Sequence, residues 1–261
     1  MTLHVTDGDI VAERLRTIGV DGCVLPWREV LHEGVWADYA SVDVHGRHQF
    51  NLNRALYVES KGWGRANDVV EDMDKRDAML LDPHWKEVVI WMEPDLFDQL
   101  IMAQVLTILY RTGRFSLIDV RLVQADKHLN YHMDSELVYA SRTPHTLTTE
   151  TIAPYLKFWK DVAGGKCTAE RTDVPIPLQV AQRQWNDLQP GDDGLSCFDK
   201  RVINLVQRSG SVSIGSLFQQ INAEEGNSAF WGDIPFVSRI QDLSQKVPML
   251  ALHDNVVEYV G

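Results

Sequence analysis

Glu87-Val88-Val89-Ile90-Trp91-Met92-Glu93 is the stretch on which the fold turns. Apolar residues stand in an unbroken row between two acidic ends. Strict alternation would mark a strand with one wet face. A short unbroken row bounded by turn residues fits a strand buried on both faces, the situation of a central strand in a parallel sheet. Pro94-Asp95 ends the run. From Leu96 to about Arg111, Leu100, Ile101, Ala103, Leu106 and Leu109 then recur at helical spacing.

The same alternation extends outward in both directions. Upstream, Leu3 to Thr6 reads as a strand ending in Asp7-Gly8-Asp9. Ile10, Val11, Leu15 and Ile18 form a helix stopped by Gly19, with Asp9 placed to cap it. Gly22-Cys23-Val24-Leu25 is a second strand, closed by Pro26. Trp27 to Gly34 reads as a short helix, residues 35–64 as an irregular insertion or lid, and residues 65–82 as a helix. Downstream, Phe115 to Val120 is a fourth strand and residues 126–146 are polar loop. Alternating strands and helices imply an α/β fold with a parallel sheet.

Helices are expected from Thr148 to about Val162 and from Leu178 to Leu188, and Pro190-Gly191-Asp192-Asp193-Gly194 is a domain boundary. Beyond it come helices at 198–208, 214–221 and 232–245, with Ser213 capping the second. A hairpin follows, 249–252 with 256–260, turning at His253-Asp254-Asn255. Three helices and a hairpin follow the winged-helix order. The expected organisation is a small Rossmann-like domain over 1–145, a helical linker over 146–190 and a winged-helix-like domain over 191–261.

Composition excludes several classes. The net charge is −12, and no segment is basic. Phosphate neutralisation supplies most of the affinity of nucleic-acid binders, so DNA is disfavoured as a partner. The three cysteines, Cys23, Cys167 and Cys197, form no CxxC pair, which argues against a zinc knuckle and fits a reducing, cytoplasmic setting. The first residues lack the pattern of a signal peptide, and no apolar run is long enough to span a bilayer. GxGxxG and GxxxxGK[ST] motifs are missing, so a nicotinamide dinucleotide is not indicated.

Three stretches carry a resemblance: His4-Val5-Thr6-Asp7-Gly8-Asp9-Ile10, Leu25-Pro26-Trp27-Arg28-Glu29-Val30-Leu31-His32-Glu33-Gly34, and Glu93-Pro94-Asp95-Leu96-Phe97-Asp98-Gln99-Leu100. They are similar to the H-V-T-N-G-D-S, L-P-W-R-D-V-L-H-E-G-P and E-H-D-L-Y-D-Q-L motifs of a bacterial domain-of-unknown-function family, the eighteen-thirty-five family. The likeness covers residues 1–125, and the C-terminal region more loosely. Ile10 stands where the family has serine and Pro94 where it has histidine, so neither side chain supplies a nucleophile or imidazole here. The resemblance implies a site more than a reaction.

Ligands of open α/β sheets bind beyond the carboxyl ends of the strands. If the first and third strands are neighbours, Asp7, Asp9, Glu93, Asp95, Asp98 and Gln99 meet Trp27, Arg28, His32 and Glu33 in one crevice. One version is a magnesium-type site of carboxylates. A second needs no metal: Arg28 binds an anion, Trp27 stacks on a ring, and His32 transfers protons with Glu33, Glu93 and Asp95 as carboxylate partners. The plain alternative makes the aspartates helix caps and packs Trp27 and His32 in the core. His45 with His48, and His128 with His132, read as loop residues. The expected function is a hydrolase or group transferase for a small anionic molecule. The alternative is a ligand-sensing regulator or adaptor whose winged helix contacts a second copy or another protein.

Overall fold

The structure, a computed structural model, describes residues 1–261 except Val35 and Ala40. It is α/β with a mostly parallel five-stranded sheet. The first part of the chain runs β1 (Thr2–Thr6), α1 (Asp9–Thr17), β2 (Cys23–Pro26), α2 (Val44–Ser60), α3 (Ala66–Leu80), β3 (Glu87–Met92), α4 (Leu96–Arg111), β4 (Asp119–Gln124), α5 (Asp134–Arg142) and β5 (His145–Thr146). The strand order is β2-β1-β3-β4-β5. The first four strands are parallel, and the two-residue β5 runs antiparallel at the edge. Strands one and three are therefore neighbours, with Val5 opposite Leu25 on one side and Ile90 on the other.

β3 is buried on both faces. Val88, Ile90 and Met92 point into the larger core, and Val89 and Trp91 into the smaller one under α1 and α5. Each such aliphatic side chain contributes about 1.5–3 kcal/mol by leaving water. α4 is as enclosed as the strand it follows: from Leu96 to Leu109 every residue but Phe97 is buried. It has the sheet on one side and α6 (Thr149–Ala163) and α7 (Ile176–Leu188) on the other. That is why its apolar residues are spread around its circumference.

The C-terminal residues form α8 (Cys197–Ser209), β6 (Ser211–Ser213), α9 (Ile214–Glu225), α10 (Asp233–Lys246), β7 (Leu250–His253) and β8 (Val256–Tyr259). The three strands make an antiparallel sheet, β6-β8-β7. Asp254 and Asn255 turn the hairpin with φ of 47° and 66°, the left-handed pair that two-residue hairpin loops use. Among the described residues no helix is long and apolar enough to cross a membrane.

Several expectations are corrected. Trp27–Gly34 is not helical, and Arg28 has a left-handed φ of 50°. Side chains hold this segment instead. Arg54 donates to Glu29 Oε1 (3.1 and 3.2 Å), to Val30 O (2.8 Å) and to Glu33 O (2.9 Å), while Arg76 Nη1 donates to Trp27 O at 3.1 Å. The stretch read as an insertion or lid contains the long helix α2, capped by Asp43, whose carboxylate accepts from Gly46 N at 2.8 Å. His45 and His48 lie on it. Its core-facing residues include Arg47, Asn51 and Arg54, so an apolar-periodicity search misses it. β4 begins at Asp119, four residues after the expected Phe115, because Arg114–Ser116 is a 3-10 turn. The 126–146 loop contains α5, and Glu136 closes its first turn by accepting from Met133 N at 2.6 Å. Asp9 does not cap α1: Gly8 is the N-cap and offers no side chain.

Arg54 and Glu29 are both 0% exposed. Removing one partner strands a buried charge, which costs about 3–5 kcal/mol. Arg54→Ala is expected to lose that much in urea unfolding. A loss under about 1 kcal/mol would mean that packing alone holds residues 29–33.

Candidate functional site

α1 carries the chain from β1 to β2 on one side, and β3 then enters on β1's other side. The strand order thus reverses between β1 and β3, and a crevice opens beyond their carboxyl ends, the usual ligand position in such sheets. Its volume is about 470 Å³. Asp7 reaches it from the end of β1 and Glu93 from the end of β3. His128 and Tyr131 come from the segment after β4, and Asn222 and Trp231 from the C-terminal unit. The crevice is therefore walled by both halves of the molecule.

Glu93 is held at every polar atom. Its Oε1 accepts from Leu129 N at 2.6 Å, and its Oε2 is bonded to His128 Nδ1. Its backbone N donates to Asp98 Oδ1 at 2.7 Å, and its carbonyl accepts from Gln99 Nε2 at 2.8 Å. Gln99 Nε2 also donates to Gln124 Oε1 at 3.2 Å. Asp95 is the N-cap of α4 and accepts from Asp98 N at 3.0 Å. Ligand atoms of Glu93, Asp95 and His128 all lie within 4.8 Å of one another.

Asp7, Glu93, Asp95 and Asp98 face one another with a single imidazole among them. Burial, reinforced by Glu93, pushes the Asp7 carboxyl up to about 6. Burial first, and the neighbouring carboxylates next, drive Asp95 and Asp98 well above the ordinary range. The hydrogen bond to Glu93 raises His128. Such a cluster favours whatever brings positive charge into it: protons, or a cation. Around the same crevice Asp7 Oδ1, Asn222 Oδ1 and Trp231 Nε1 are buried without hydrogen-bond partners, two acceptors and one donor that a bound molecule can satisfy.

The other expected site residues lie elsewhere. Arg28 does not face the crevice. It is exposed and forms a two-pronged pair with Asp9 at 2.6–3.0 Å, so Asp9 is also spent outside. Trp27 is fully buried, its indole donating to Gln104 Oε1 at 2.6 Å and its ring lying under Arg76; it does not line the crevice. His32 is sealed among Phe97, Phe230 and Trp231 with centroid distances of 5.2–5.9 Å. Both its ring nitrogens are buried and unpartnered. Burial, helped by Arg54 and Arg239, depresses it to about 3, so it is a neutral packing group rather than a proton carrier. Glu33 is buried beside Tyr57, whose hydroxyl donates to it at 3.4 Å, and Arg239 at 3.9 Å. It does not orient an imidazole.

His128, Asn222 and Trp231 are the residues that reading the sequence missed. The His128–His132 spacing was visible, but only His128 enters the crevice; His132 lies against Asp126 and Glu136. No local pattern marks Asn222 or Trp231, because docking of the C-terminal unit places them. Comparison of the chain with protein-family models, curated proteins and solved structures finds no match.

His32 makes a pH-dependent contribution of known sign. Its unfolded-state pKa is near 6.5 and its folded one is about 3. The stability from burying it neutral is complete above pH 6.5 and is lost as pH falls toward 3. Asp7, raised from 3.8 to about 6, acts oppositely, its contribution complete below 3.8 and gone above about 6. Comparing parent with His32→Phe therefore isolates the imidazole. Melting temperatures should shift in the variant's favour between about pH 7.5 and pH 5; a difference constant with pH would contradict this account.

Proposed function

We propose that the chain is an enzyme that performs hydrolysis or group transfer on a small polar molecule in this crevice, using a divalent cation held by Glu93, Asp95 and His128. The observation that carries the reading is the buried cluster of carboxylates at the reversal of strand order, balanced by one imidazole. Two carboxylates and an imidazole are ligands suited to magnesium, manganese or zinc. Bound there, such an ion would polarise a carbonyl or phosphoryl oxygen and acidify water. The chain's own groups supply the rest. Asp7, whose buried carboxyl lies beside Glu93 at the crevice wall, would take or return a proton at its free Oδ1. Asn222 and Trp231 orient the substrate through their unpartnered atoms. Gln99 and Asp98 hold the backbone of Glu93 in place.

The expected anionic ligand fits only with such a cation, since the crevice wall is acidic and Arg28 is not in it. The same crevice draws Asp7 and Glu93 from two of the three stretches that resemble the bacterial domain of unknown function, which supports reading the chain as a relative of that family. Three exposed, unpaired thiols suit a reducing cytoplasm.

We read the C-terminal unit as a winged helix from its order of helix, short strand, two helices and hairpin. α10 would be its reading helix, but Arg239 is engaged by Asp199 at 2.9–3.1 Å and Lys246 by the Gly194 carbonyl. That supports packing over DNA contact. Because Trp231 and Asn222 belong to this unit, a non-catalytic sensor that reports crevice occupancy through it is the second reading.

Asp95→Asn keeps the helix cap while removing a ligand charge. Manganese or magnesium is expected to raise the parent's melting temperature by on the order of 5 °C at saturating concentration. The variant should be at least as stable without metal and should lose the shift. A parent indifferent to both ions and to zinc would remove the metal from this reading.

A further inference from the structure

A second concavity lies on the other side of β1, between the edge strand β2 and α3, with a volume of about 400 Å³. It shares no lining residue with the acidic crevice. Its character is opposite. Arg16, Arg28, Lys75 and Arg76 line it, with Asp72 as the carboxylate among the lining residues, in a chain of net charge −12.

The cations differ in how firmly they are committed. Arg76 is 5% exposed and tied to Asp77 and to the Trp27 carbonyl, so it forms fixed structure. Arg28, Lys75 and Arg16 have side chains 55%, 66% and 45% exposed, paired with Asp9, Glu71 and Glu13; Arg16 is further held by its Nη2, which donates to Val24 O at 2.9 Å. None of those three carboxylates lines the groove. Single exposed pairs such as Lys75–Glu71 hold with only about 0–1 kcal/mol; the two-pronged Arg28–Asp9 pair is better made but exposed on both sides, so an anion that meets Arg28 and Lys75 together competes with it. Arg28 adds an independent sign. It has a left-handed φ of 50°, a conformation unusual for a side-chain-bearing residue that collects at ligand-contacting positions. Its backbone is held there by the Arg28 N bond to Asp7 O at 3.1 Å.

The groove also has an apolar share, including Met73 and Met79. Thioethers pack well against ring edges, and guanidinium planes stack on ring faces. The volume lies within the range of small-molecule sites. We propose that this groove binds a small molecule carrying a phosphate or carboxylate on a flat apolar body, with Arg28 and Lys75 clamping the anion. The site stands apart from the acidic crevice and does not depend on the chemistry assigned there.

The test uses the full chain and isothermal titration calorimetry with AMP, UMP and 2-naphthoate, beside inorganic phosphate and adenosine. At least one of the three ring-bearing anions should bind, and phosphate and adenosine should each bind at least tenfold more weakly than it does. An Arg28→Ala, Lys75→Ala double variant should weaken that binding at least tenfold while melting within about 2 °C of the parent, as exposed substitutions do. Asp95→Asn should leave it unchanged, and salt should weaken it in the parent. Absence of binding by all three at about 5 mM would overturn the proposal. So would binding that the double variant retains, or binding that Asp95→Asn abolishes, which would place the ligand in the crevice.

Discussion

Val88 to Met92 leave water on both faces of the sheet at once, and the rest of the architecture answers to that requirement. β1 and β4 must flank the strand, α1 and α5 must cover one face, and α4 with the helices outside it must cover the other. The chain leaves β3 at Glu93 and has to enter α4 within three residues, so Asp95 falls at the helix start and Asp98 in its first turn. Three carboxylates are thereby carried under cover by the apolar elements on either side. Left alone they would repel one another and seek solvent; the surrounding apolar burial holds them together in a poorly solvated place. The strain of that arrangement is local and electrostatic, which is the usual circumstance of groups whose acidity is shifted for a task.

The parallel α/β order was legible because its signals are short-range. A doubly buried strand shows as an unbroken apolar row, and a turn shows as Asp-Gly or Pro. What escaped notice was whatever rests on polar burial. α2 presents Arg47, Asn51 and Arg54 inward, so its core side looks like a surface. Residues 27–34 resemble a helix in composition, yet Arg54 and Arg76 satisfy their carbonyls in an irregular path that no helical pattern reveals. The acidic half of the crevice could be anticipated from strand ends, since a parallel sheet gathers them at one edge. Its remaining groups arrive from beyond residue 125, and such long-range approach leaves no mark in local sequence.

Asp7-Gly8-Asp9 shows why the residues first grouped as one site divide into two. Asp7 turns toward β3 and the crevice, while Asp9 turns toward β2 and Arg28. Gly8 lies between them with an extended backbone (φ −159°, ψ −172°) and caps α1. Asp7 thus lines the acidic crevice, while Asp9 lies outside both concavities and reaches the second only through its pair with Arg28. The division follows from the strand order, in which β1 has a neighbour on each side, and from the left-handed turn at Arg28, which leads that side chain away from the carboxylates.

Trp231 and Asn222 complete the crevice from the far end of the chain, and this has a bearing on how the molecule comes into being. Synthesis proceeds from the amino terminus, and domains tend to fold in the order they emerge. The sheet and its acidic edge can be assembled while the residues of α9 and the segment after it are still to be made. During that interval the crevice lacks the wall that Asn222, Gly226, Ala229 and Trp231 supply, although Glu93 can already be held by His128 and Leu129. Only when the last helices dock is the edge enclosed. Enclosure of this edge is therefore completed late, as the closing event of the molecule's own maturation.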